Sequence, residues 1–190
     1  PQNPYAESKI KTEKFLFDNN DKFQFIILRY FNVAGADKKL RSGQISKKST
    51  HLIKKISEVV VGKRNQIEIF GNDYNTPDGT AIRDYIHVSD LADIHVEVAK
   101  YLLKNLESNF FNCGYGNGFS VLDVVNTTNT ICQKKITYKF SNRRDGDVEK
   151  LIANTSKLLK YIKWKPKYND LKKIINSSIK WEEKISESST

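Results

Sequence analysis

The 190-residue sequence contains no methionine, only two cysteines and only four prolines, and it has no long apolar run. A helix that crosses a bilayer needs about 20 consecutive apolar residues. With 28% charged residues and a mean hydropathy of −0.57, the chain offers no such stretch, and no membrane partner is expected. Cys113 and Cys132 are too few for a disulfide framework, so a reduced, cytoplasmic setting is expected. The missing methionine and the opening Pro1-Gln2-Asn3-Pro4 lead to the expectation that the chain is cut from a longer protein.

Lys and Arg total 32 against 22 acids, a formal charge of +10, which raises an anionic partner as a possibility. The lysines are dispersed, in pairs such as Lys47-Lys48, Lys54-Lys55 and Lys172-Lys173, with no aromatic-interleaved or zinc-finger pattern beside them. Scattered lysine is the ordinary way to solvate a surface, so no nucleic-acid partner is expected.

Apolar spacing alternates between two periods along the chain. Residues 5–17 read as a helix, with Pro4 at an early position where no amide hydrogen bond is lost. Residues 23–30 (FQFIILRY) read as a buried strand that empties into a loop over residues 31–36. Leu52, Ile53, Ile56, Val59 and Val60 predict a helix stopped by Gly62, and residues 66–70 a short strand before the turn-rich GNDYNTPDG. Ser89 or Asp90 is expected to cap a helix through Leu102, and Ser120 one through Ile131. Residues 110–113 and 136–140 read as strands, and residues 170–185 as a closing amphipathic helix. Strands alternating with helices predict an α/β fold with a partly parallel sheet.

Tyr5 and Lys9 lie four apart, on one face of the first helix. A phenol with a pKa of about 10 is a poor base at neutral pH, and a lysine cation beside it favours the phenolate. Such a pair suits proton removal from a hydroxyl. Arg83-Asp84, and Arg143-Arg144 with Asp145 and Asp147, are the other pointed clusters, since arginine forks match phosphate. The bland alternative for both is surface ion pairing. Gly114-Tyr115-Gly116-Asn117-Gly118 fails as a dinucleotide loop, because Phe119 stands where the third glycine belongs, and reads instead as a turn needing glycine for its backbone. His51, His87 and His95 have no metal-ligand spacing and read as structural; no metal is expected.

Several of these stretches, taken in order, resemble the UDP-glucose 4-epimerases of the extended short-chain dehydrogenase/reductase superfamily. NPYAESK (3–9) resembles the catalytic Y-x-x-x-K segment, and LRYFNVAGA (28–36) the strand and loop after it. FGNDYNTPDGTAIRDYIHVSDLADIH (70–95) is the longest and most specific match; FNCGYGNGFSVLDVV (111–125), RRDGD (143–147) and the WKP before the last helix continue it.

The resemblance implies an incomplete, Rossmann-type doubly wound sheet, its C-terminal part, plus a small α/β substrate-binding domain. Residues 1–36 would end the NAD-binding domain. Residues 37–190 would be mainly the UDP-sugar domain, with a segment around 83–113 returning to the first. Tyr5 would be the base at the sugar 4-hydroxyl and Lys9 would hold the nicotinamide ribose, with NAD as cofactor and Tyr30 and Phe31 near it. Asn32, Arg83, Arg144 and Asp147 match positions that hold the nucleotide-sugar, as do His51, Phe70, Tyr85 and Leu151. His51 stands where some members carry asparagine, Lys54 at a usual proline, and Leu151 where a tyrosine or smaller residue shapes the sugar pocket. A glycine-rich NAD loop would lie before Pro1. The resemblance further implies a homodimer in the complete protein, a possible separate N-terminal half, and a role in galactose or surface-polysaccharide sugar metabolism. The alternative is a non-catalytic remnant that at most binds a nucleotide-sugar.

Overall fold

The computed structural model describes residues 4–46 and 48–187, so Asn3 of the first motif and Lys47 of one lysine pair lie outside the described residues. Helix α1 (Pro4–Asp18) begins on Pro4 and buries none of its residues. Strand β1 (Ile26–Tyr30) starts three residues later than the apolar run suggests. Residues 31–36 are not simply a loop, as expected, because Asn32–Ala34 forms β2, paired in parallel with β5 (Tyr85–His87). That partner lies some fifty positions away, beyond any local propensity signal.

Helix α2 (Leu52–Val60) buries Ile53, Ile56 and Val59, and β3 (Ile67–Phe70) alternates buried and half-buried residues. The turn-rich stretch leads to β4 (Ile82–Arg83). Gly79 there has φ of 75°, and a Cβ on it would collide with the carbonyl of Asn72, so only glycine fits.

Helix α3 (Val88–Asn105) is capped by His87, whose ring accepts from the Ser89 amide at 3.1 Å; neither Ser89 nor Asp90 is the cap that was expected. Asp90 is instead buried, accepting from the amides of Lys167 and Tyr168 and from the Tyr115 hydroxyl. Strand β6 (Asn109–Cys113) pairs in parallel with β1. After β7 (Phe119–Ser120), helix α4 (Val121–Cys132) carries a capping box between Ser120 and Asp123, as the sequence predicts for Ser120. Strand β8 (Tyr138–Ser141) pairs in parallel with β3, and β9 (Lys150–Leu151) with β4. Short helix α5 (Ser156–Tyr161) was not predicted, whereas α6 (Leu171–Glu187) was.

Two apolar clusters hold these elements. One joins α2, β3, α4 and α6 through residues such as Ile56, Ile69, Val125 and Ile175. The other joins β5, α3, β6 and α5 through Ile86, Ile94, Phe111 and Leu158. Each buried Ile or Leu contributes roughly 1.5–3 kcal/mol, so the two clusters dominate the stability of the chain. Among the described residues no helix is long and apolar enough to cross a membrane.

Candidate nucleotide-sugar site

The C-terminal end of β3 and the strand pair β2–β5 open on a cavity of about 310 Å3. Ligands in open α/β sheets sit outside the C-terminal strand ends, as this cavity does at β3. Asn32, His51, Phe70, Arg83, Tyr85, Arg144 and Asp147 all line it. A second cavity of about 340 Å3 shares Asn32, His51, Leu52 and Tyr85, and runs between α2 and α6 toward Gly43 and Trp181.

The first cavity is polar and charged. Arg83 is largely buried and pairs with Asp147, which lies in the turn before β9. Arg144 lays its guanidinium 3.8 Å from the centre of the Phe70 ring. Its neighbour Arg143 points elsewhere, 4.1 Å from the Tyr74 ring and 2.7 Å from Asp73, whose carboxyl it holds below the ordinary range. The adjacent arginines of the sequence therefore serve two different places. Burial raises the Tyr85 phenol above its ordinary pKa, so it stays a neutral hydrogen-bonding group. His51 occupies the N-cap position of α2, yet its side chain makes no capping bond.

Glycine at position 114 has a steric cause behind this wall. A Cβ there would sit 2.5 Å from the Asp84 carboxylate and 2.6 Å from Ala153. Asp84 is fully buried; burial raises its pKa, while bonds from the amides of Tyr115, Gly116 and Ala153 oppose that rise. Asp84 thus ties the glycine loop to β4 and is structural.

The other sequence candidates lie outside the two cavities. Tyr5 is 72% exposed on α1, with the Lys9 ammonium 5.3 Å from its ring centre. The expected shared helical face exists, but among the described residues no other side chain encloses it. Tyr30 ends β1, also exposed, and Phe31 is half-buried between β1 and β2. Leu151 stands opposite Arg83 in the β4–β9 pair and is 46% exposed. Sequence reasoning passed over Lys55 and Glu68, which both line the first cavity. Their signals were spacing: Lys55 is one helical turn after His51, and Glu68 is two before Phe70 on one strand face.

Comparison with known proteins gives this arrangement a context. Residues 1–114 match the NAD dependent epimerase/dehydratase family. The chain is 44% identical over 190 residues to a UDP-glucose 4-epimerase of Azospirillum brasilense, covering 99% of this chain and 55% of that protein. It superposes with a TM-score of 0.92 and 32% identity on a UDP-glucose-4-epimerase from Stenotrophomonas maltophila with bound NAD and formylated UDP-arabinopyranose, covering 97% of this chain and 56% of that one. A UDP-Glc/GlcNAc 4-epimerase from Campylobacter jejuni matches with a TM-score of 0.76 and 44% identity, over 97% of this chain and 56% of that one. The chain thus spans about half the length of the curated relatives it matches, their C-terminal portion, and has the Rossmann-like α/β fold of that portion. Its fold and sequence together make it a member of the NAD dependent epimerase/dehydratase family.

Proposed function

We propose that this chain carries the nucleotide-sugar site and two proton-handling side chains of an NAD-dependent UDP-glucose 4-epimerase. The observation that carries the reading is the convergence of Asn32, Phe70, Arg83, Arg144 and Asp147 on one cavity, from segments far apart in sequence. An aromatic ring, two guanidinium groups and a carboxylate are the groups a uridine diphosphate requires: a face for the base, forks for phosphate, an acceptor for ribose hydroxyls. Asn32 and Tyr85 add neutral hydrogen-bonding groups toward the sugar, and the half-exposed Leu151 borders it. Here the domain division is residues 1–36 with the segment around 83–113 on one side and the UDP-sugar part on the other; the parallel pairs β1–β6 and β2–β5, which join the two segments of the first side, support it.

Tyr5 and Lys9 suit the nicotinamide end of NAD, with a phenol and an ammonium on one open helical face. NAD supplies the oxidation and re-reduction at sugar C4 when bound. Tyr5 removes the proton from the 4-hydroxyl and returns it once the 4-keto sugar has turned over. Lys9 holds the nicotinamide ribose. Tyr30 and Phe31 border the same cofactor. The reaction is interconversion of UDP-glucose and UDP-galactose in galactose or surface-polysaccharide metabolism of the cytoplasm, and the complete protein is a homodimer.

One observation favours a second reading for the isolated 190-residue chain, a binding module without turnover. Tyr5 and Lys9 stand away from both cavities, and among the described residues no glycine-rich loop between strand and helix fits a dinucleotide. Under this reading the chain binds UDP but produces no UDP-galactose from UDP-glucose and added NAD, unless a separate N-terminal half complements it. Product formed by the chain alone would sink the second reading. In a complemented enzyme, Tyr5→Phe should lower turnover by at least about a hundredfold while UDP binding stays nearly unchanged. Full turnover by that variant would remove Tyr5 from its role.

A further inference from the structure

The charges around the 310 Å3 cavity are matched except at one place. Arg83 is paired with Asp147. The Glu68 carboxylate accepts from the Ser141 hydroxyl and faces Lys139 at 3.7 Å. Glu58 takes Arg64 at 3.1 Å and Lys54 at 3.7 Å, and Lys54 is also held by Glu182. Glu68 and Glu58 are the carboxylates whose charge Lys55 feels, and both are committed elsewhere. Among the described residues, neither the Lys55 ammonium nor the Arg144 guanidinium has a carboxylate partner, yet both line the cavity. Burial, and next the charge of Arg144, pull the Lys55 pKa down, the direction for cations gathered without their anion.

Lys55 is also placed firmly. Its amide donates to the His51 carbonyl at 3.1 Å in the first turn of α2, and the adjoining Ile53 and Ile56 are buried in the core. Phe70 and Asp147 supply the groups a nucleoside needs, so the unmatched positive charge falls to the phosphates. We infer that Lys55 is a phosphate-contacting residue that acts with Arg144 to hold the diphosphate of the nucleotide in this cavity, an inference that rests on the nucleotide-sugar reading above.

The test is calorimetric titration of UDP and UMP into the 190-residue chain and its Lys55→Gln and Lys55→Arg variants. A charge-assisted contact to phosphate corresponds to roughly ten- to a hundredfold in affinity. Lys55→Gln is therefore expected to weaken UDP by about that factor and to shrink the preference for UDP over UMP; Lys55→Arg should restore most of both. Thermal melts should coincide for the three proteins, because Lys55 is only half-buried. Unchanged UDP affinity in Lys55→Gln overturns the inference, and so does equal loss of UDP and UMP. Absence of UDP binding by the unsubstituted chain would instead sink the nucleotide-sugar reading, and the role of Lys55 with it.

Discussion

At the residue scale, His87 illustrates how burial assigns a proton. Its Nδ1 accepts from the Ser89 amide at 3.1 Å, so the hydrogen sits on Nε2, which faces the Ser177 hydroxyl at 3.1 Å. The ring is fully buried and stacks on Tyr168 at 4.2 Å. Burial lowers its pKa from the ordinary 6.5, more than the nearby Asp90 raises it. The folded chain thus binds this proton less readily than the unfolded one, so the stabilisation is present above about pH 6.5 and is lost as pH falls through the lower folded value. Denaturant titrations at pH 7.5 and 5.5 should show a loss of stability in the acid that is smaller in His87→Asn, which keeps a capping oxygen. An identical loss in both proteins would show that His87 is not the cause. Residues of this kind divide by the reach of their evidence. The Tyr5–Lys9 pair was legible from local spacing, whereas the tasks of Asp84, Asp90 and His87 depend on partners up to 90 residues distant.

At the element scale, α2 and α6 are clamped by charge as well as by apolar contact. Lys54 and Glu182 form a buried ion pair, with Lys63 a second partner of Glu182 at 3.0 Å. Removing one member of a buried pair leaves an uncompensated charge, at a cost of about 3–5 kcal/mol. Glu182→Leu should fall at the low end of that range, because Lys54 keeps Glu58 at 3.7 Å. The double variant Lys54→Met/Glu182→Leu should recover most of the loss. Denaturant unfolding of the three proteins measures both, and a double variant as weak as the single one would contradict the clamp. The long helices were legible because apolar spacing survives over three or more turns. Strands β4, β5, β7 and β9, of two or three residues each, were not, since such short pieces exist only through partners brought by the fold.

At the scale of the whole molecule, several large apolar side chains between residues 10 and 30 stay exposed. Helix α1 has no buried residue; Ile10 is 51% and Phe15 62% exposed, and Phe17, Phe23 and Tyr30 nearby are also exposed. Exposed apolar surface promotes association. The purified chain should bind an apolar-surface dye and self-associate, and Ile10→Glu with Phe15→Glu should reduce both while leaving the melt of the two cores nearly unchanged. A monodisperse chain with negligible dye binding would refute this. A chain that spans 55% of a curated relative was recognisable as such from motif order, since motifs are local strings. The sequence by itself determined the family, the α/β alternation, the long helices and the Y-x-x-x-K face, because each is written in residues a few positions apart. Only the tertiary structure decided that Arg144 turns to Phe70 while Arg143 turns away, and that Lys55 lines the cavity with no carboxylate partner among the described residues; charge pairing depends on which distant side chains the fold leaves within a few ångströms.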